Sequence, residues 1–156
     1  HRESRGLGDV YKRQHYINAF GEELIVSNAE EALQNACEIH QCSVRDFHAG
    51  PIFMEDASCG AHQWIIEFEK TPQDLKAFTH SLDQSIQSLN SDYGAKRKSG
   101  LVLGPLELVI ARDFLFHDWL KLKGKLGGQN KIPRLSNNRL FMEQFIALNR
   151  RRDVPV

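Results

Sequence analysis

The chain shows no surplus of either charge, few cysteines and no long apolar run, and each shortage removes a class of function. Lysine plus arginine number 20 and aspartate plus glutamate also 20, so the formal net charge is zero. No basic or acidic excess points to nucleic acid or to a membrane surface. No apolar stretch approaches the ~20 residues of a spanning helix, and no signal peptide is visible. The three cysteines, Cys37, Cys42 and Cys59, are odd in number and outside any disulfide-framework spacing. Reduced thiols in a cytoplasmic protein are therefore expected.

What is present suits a single globular domain. The 156 residues are 41% hydrophobic and 26% charged, enough to bury a core. The beginning stands apart. The chain starts at His1 rather than methionine, and Asp9-Val10-Tyr11-Lys12-Arg13-Gln14 resembles a translated transposase mosaic-end sequencing adapter. Residues 1–14 are accordingly expected to be non-native, with the true frame entering near His15 inside a longer gene. Residues 15–149 then form the domain, and residues 150–156 a tail.

Periodicity places the elements. Residues 15–26 alternate loosely around Gly21, predicting two short strands or a hairpin. Ser27-Asn28-Ala29-Glu30 has the pattern of a capping box, and Ala29, Ala32, Leu33, Ala36 and Cys37 share one helical face beyond it. Residues 43–54 read as a strand entering a turn at Gly50-Pro51. Residues 61–69 are the strongest strand, with Trp64, Ile66 and Phe68 alternating with Ile65, Glu67 and Glu69. Thr71-Pro72-Gln73-Asp74 reads as a helix start with proline at the first helical position. Leu75, Phe78, Leu82, Ile86 and Leu89 continue that helix as an amphipathic face. Residues 96–100 read as a polar connector, 106–111 as a short strand, and 114–122 and 137–149 as helices. The order strand–helix–strand–strand–helix–strand predicts an α+β fold: a small antiparallel or mixed sheet of split βαββαβ order with helices packed on one face. The last third, with its glycine-rich loop and helix, reads as an appendage.

Residues 123–134 hold the richest glycine and basic segment. Glycines let backbone amides approach a ligand closely, and nearby cations suit a phosphate or carboxylate. It is not a P-loop, because Gln129 stands where that pattern needs glycine. On composition alone such a stretch is a solvated loop. Cys59 and His62, with His40, Cys42 and His48, contain zinc-ligand chemistry, but their spacing fits no standard finger or ribbon. They are expected to be packed or exposed side chains, with no metal site. His117 and Asp118 diverge on a helix surface, so an acid–base pair is not expected there. Trp64 and Trp119 are expected in the core or at a domain interface. Arg150, Arg151 and Arg152 are too short a run to imply nucleic acid.

Four short segments, in order, carry a resemblance. They are Asn18-Ala19-Phe20-Gly21-Glu22-Glu23-Leu24, Gly60-Ala61-His62-Gln63-Trp64, Leu89-Asn90-Ser91-Asp92-Tyr93-Gly94-Ala95-Lys96-Arg97, and Gly124-Lys125-Leu126-Gly127-Gly128-Gln129-Asn130-Lys131-Ile132-Pro133-Arg134-Leu135-Ser136. Together they resemble the C-terminal part of the auxin-responsive acyl-acid amido synthetase family, most closely its bacterial members, over nearly all of residues 15–149. Plant members share a similar glycine-rich segment.

The resemblance implies an ATP-dependent ligase. A carboxylic acid is adenylated with ATP and Mg2+, and an amine such as an amino acid then forms the amide. It also implies a small C-terminal lid that swings over a large N-terminal domain, which would be this chain's partner alongside the acid and amine substrates. The large domain holds the nucleotide motifs, so the fragment alone is expected to hold no cofactor and to be inactive. Within the fragment, Lys131 is the first catalytic candidate and Lys125 the second, with Gly127, Gly128, Gln129 and Arg134 expected on the nucleotide side. Residues 18–23 resemble the segment just past the hinge. A small-molecule-binding regulatory module of the βαββαβ type is the alternative, although such a module needs no cationic glycine-rich loop.

Overall fold

The computed structural model describes residues 16–55, 59–124 and 131–151. The proposed adapter segment 1–14 and the tail beyond 151 lie outside the described residues, as do Lys125, Gly127, Gly128 and Gln129. The α+β class holds. Strands β1 (Tyr16–Ile17) and β2 (Leu24–Ile25) form an antiparallel hairpin. Then come helix α1 (Val26–His40), strands β3 (Ser43–Ile52) and β4 (Ala61–Lys70), and helices α2 (Leu75–Leu89) and α3 (Ser91–Ser99). Strand β5 (Glu107–Ile110) and helices α4 (Leu115–Leu122) and α5 (Leu140–Asn149) complete the order.

The main sheet runs β3-β4-β5, with β3 antiparallel and β5 parallel to β4. The chain order contains βαββαβ, but its first strand pairs in the separate hairpin, and β5 takes the place beside β4. Two residues, Leu24 and Ile25, leave the hairpin strand too short to cross the main sheet.

Strand β4 is buried on both faces, as an inner strand of a covered sheet should be. Trp64, Ile66 and Phe68 face a first core with α1 and α2, where Trp64 stacks on Phe47 with ring centroids 5.0 Å apart. The small residues Ala29, Ala32 and Ala36 on α1 leave room for Phe78, Leu82 and Ile86 of α2. Ile65 faces a second core built from Leu115, Phe116, Trp119, Met142, Phe145 and Leu148. Helices α4 and α5 thus cover the opposite face of the sheet. The expectation of helices on one face and an appended last third is corrected: those apolar faces close the second core. No helix among the described residues is long and apolar enough to cross a membrane.

Several boundaries also move. Ser27 and Glu30 form no capping box, because α1 begins one residue before Ser27, with Ile25 at its N-cap and no side-chain cap. Backbone continuing straight out of β2 leaves Ser27 already inside the helix. Pro51 lies within β3 rather than in a turn. Ala49 makes its backbone bonds to residues 134 and 136 on the edge away from β4, so two residues on Pro51 directs its missing N–H to that same edge. Pro72 precedes α2, whose N-cap is Asp74, its carboxylate accepting the Ala77 N–H at 3.0 Å. Residues 96–99 belong to α3. Asn90 caps this helix by accepting the Tyr93 N–H at 2.8 Å, and Gly100 ends it at φ 67°.

Candidate functional site

The turn at residues 18–23 and the segment at residues 131–139 meet on one edge of the domain. In the turn, Gly21 N–H donates to the Asn18 carbonyl at 3.0 Å. Gly21 sits at φ 88°, a left-handed backbone conformation that favours glycine, while the nearest side-chain atoms, at the end of Lys96, could move aside for a Cβ. The turn sends Glu22 inward. Its fully buried carboxylate accepts the Phe20 N–H at 2.9 Å and contacts His62 Nε2 at 2.5 Å. Asn90 Nδ2 donates to the Glu23 carbonyl at 2.8 Å. Asn137 completes the attachment: its Oδ1 accepts the Asn18 N–H at 3.0 Å, and its Nδ2 donates to Asn18 Oδ1 at 2.5 Å.

The second segment lies along the free edge of β3. Ala49 N–H donates to the Arg134 carbonyl at 2.8 Å and Ser136 N–H to the Ala49 carbonyl at 3.1 Å, so Leu135 makes a parallel bridge to Ala49. Ile132 is buried in the second core and Leu135 in the first, which pins the segment at both faces. His48 Nδ1 donates to the Pro133 carbonyl at 2.6 Å; the carbonyl can only accept, so the proton is on Nδ1. Burial pushes the His48 pKa down to about 4 against the opposing pull of that bond, and the ring is neutral near pH 7. Arg139 donates to the Pro51 carbonyl at 2.9 Å.

The predicted site residues fare differently. Lys131 is exposed at the start of this braced segment, and no described carboxylate pairs with it. Arg134 is engaged: it pairs with Glu30 at 2.9 Å and Asp46 at 3.5 Å, and its guanidinium lies 5.5 Å from the Phe47 ring centroid. Burial pushes the Asp46 carboxyl up, while its bond from Phe47 N–H and the Arg134 charge pull it down. The arrangement presents one solvent-exposed cation beside a braced segment, with a second cation paired within it.

The histidines with zinc-ligand chemistry each have another partner. His48 holds Pro133, His62 holds Glu22, and His40 pairs with Ser81 at 2.8 Å. Asp118 is ion-paired with Arg112 at 2.8 Å, while the neighbouring His117 is exposed. The contributions of His48, Asn90 and Asn137 were not legible in sequence, since each bond joins residues 67 to 119 positions apart. An open groove of about 450 Å³ between α2 and β5, lined by Lys76, His80 and Arg97, involves none of the predicted site residues.

Comparison with known proteins bears on the family and the fold. The model of the GH3 family C-terminal domain matches residues 27–140. Among solved structures, a GH3.15 acyl acid amido synthetase is similar, with TM-score 0.67 and 18% identity over 92% of this chain and 28% of that one. A second, AtGH3.15 acyl acid amido synthetase in complex with 2,4-DB, has TM-score 0.66 and 16% identity over the same shares. The chain therefore spans about 28% of the length of these structures, and the likeness to them is one of fold. No curated protein matches the chain in sequence.

Proposed function

The chain belongs to the GH3 family, matching its C-terminal domain, and from that premise we propose that it is the closing domain of an ATP-dependent acyl acid amido synthetase. In this reading a carboxylic acid is adenylated with release of pyrophosphate. An amine such as an amino acid then takes the acyl group, leaving the amide and AMP. The acyl pocket and adenine site belong to a large N-terminal domain outside this chain. No group of three or more His, Cys, Asp or Glu suited to a metal occurs among the described residues. The proposal gives Mg2+ to the large domain and the nucleotide.

The observation that carries the reading is the position of Lys131. Lys131 is exposed to solvent, while Ile132, Pro133, Arg134 and Leu135 are fixed to β3 and both cores. Such a cation suits a domain that arrives and leaves, meeting negative charge at the α-phosphate as adenylation proceeds. Lys125 is the second choice. Gly127, Gly128 and Gln129 serve the nucleotide side through backbone amides and the side-chain amide. Arg134, already paired with Glu30 and Asp46, fixes the chain just beyond Lys131.

The test is Lys131→Ala in the full-length synthetase. ATP–pyrophosphate exchange should fall by at least ~10²-fold, the scale for losing one preorganised electrostatic group. Binding of ATP and acid should change less, and amide formation from a supplied acyl-adenylate should be less affected. Lys125→Ala is the comparison. Parental exchange rates in both variants would make the loop a surface connector.

A further inference from the structure

Cys37 and Cys42 bracket the end of α1. Gln41, the first residue after the helix, is left-handed at φ 51° and ψ 49°, and the Cys42 N–H donates to the Cys37 carbonyl at 3.0 Å. This bond pattern is a helix-ending motif in which the two residues so joined usually bring apolar side chains into contact. Here both are thiols, each half-buried against the first core. The geometry also sets a limit. Bond lengths together with the bent angles at the carbonyl carbon and the amide nitrogen hold the Cys37 and Cys42 Cα atoms, joined through that hydrogen bond, within roughly 6.8 Å. A disulfide spans Cα separations of ~4.4–6.8 Å.

We propose that Cys37 and Cys42 form a reversible disulfide, a redox modification site that fastens the end of α1 to the start of β3, with glutathione disulfide as oxidant. Cys42 gives its proton to solvent, and its sulfur bonds to one glutathione sulfur. The other glutathione leaves with the electron pair of the broken S–S bond and takes up a proton. Cys37 then attacks the Cys42 sulfur and expels the second glutathione in the same way. Two protein thiols and one glutathione disulfide become one protein disulfide and two glutathione thiols.

The order of attack follows from the surroundings. Burial pushes the Cys37 thiol up to about 12, and the neighbouring Cys42 raises it further. Burial also raises Cys42, but less exclusively, because the hydrogen bond with Cys37 and then the Lys70 charge favour its thiolate. Cys42 is the readier nucleophile and Cys37 the resolving thiol. Both stay largely protonated near pH 7, so closure should accelerate as pH rises from 7 to 9.

The test uses the whole 156-residue protein. It is equilibrated with glutathione disulfide, quenched in acid, alkylated with N-ethylmaleimide, and mapped by peptide mass spectrometry. The expected product is a cross-linked Cys37–Cys42 peptide lacking two hydrogens, with neither residue alkylated. Closure at the same glutathione ratio should be at least ~10-fold less favourable in denaturing urea, where the helix end no longer holds the pair. The Cys37→Ser variant should retain glutathione on Cys42. Both thiols alkylated after equilibration, glutathione left on Cys42 of the parent, or equal closure in urea would overturn the proposal. Free Cys42 in the variant would overturn the assigned order of attack.

Discussion

His48 shows how one side chain governs a segment 85 residues further along, through its bond to the Pro133 carbonyl. Its ring is closed in by Phe141 and Phe145, at centroid distances of 6.2 and 5.1 Å. Nε2 is buried with no hydrogen-bond partner among the described residues. Protonation of Nε2 would place an unpaired charge there, which is why burial holds the pKa near 4 rather than 6.5. The sign follows. Between those values the unfolded chain takes up the proton first, so His48's contribution is complete above about pH 6.5 and is lost as pH falls toward 4. The difference corresponds to about 3 kcal/mol. His48→Gln keeps a donor for Pro133 but removes the titration. The urea midpoint of the parent should therefore fall more steeply from pH 7 to 4 than that of the variant. Asp46 is present in both proteins and cancels in the comparison. Parallel pH profiles would show that His48 does not carry this dependence.

Among the elements, Asn90 joins more parts than its place between two helices suggests. Its N–H closes α2 on the Ile86 carbonyl at 2.9 Å, its Oδ1 caps α3, and its Nδ2 holds the Glu23 carbonyl of the site turn. Asn90→Ala removes a helix cap and a tie to the turn together. A loss of roughly 2 kcal/mol is expected, about 1 for the cap and about 1 for the second hydrogen bond. Asn90→Asp keeps the cap but has no amide donor, so it should lose less. Equal urea midpoints for the alanine variant and the parent would contradict this role. The same residue shows what a sequence conceals. The Trp64 strand was legible because its period of two survives burial on both faces. The helix at α3 was not, because its polar residues carry little periodicity and its start depends on Asn90 turning its side chain back. Pro51 misled for a related reason: its missing N–H signals a turn locally, whereas here it faces a strand edge. The segment containing Lys131 was legible as unusual composition, but its bracing by His48, Ala49 and Asn137 was not, because those partners are distant in sequence.

At the scale of the molecule, both faces of one three-stranded sheet are covered, and the last third of the chain closes the second face. That construction explains how a short cationic segment is held firmly at an edge: Ile132 is rooted in one core and Leu135 in the other, with the β3 edge between them. It also gives the residue 18–23 turn a fixed position against Asn137. In the proposed enzyme these two features move as one body, and Lys131 reaches the reacting phosphate only when the large domain supplies it. Acid-dependent ATP–pyrophosphate exchange tests this most directly, measured on the isolated chain, on the full-length synthetase, and on the synthetase lacking this domain. The account predicts exchange by the full-length protein, none by the isolated chain, and a loss of at least ~10²-fold when the domain is removed. Exchange by the isolated chain, or an unchanged rate without the domain, would contradict it.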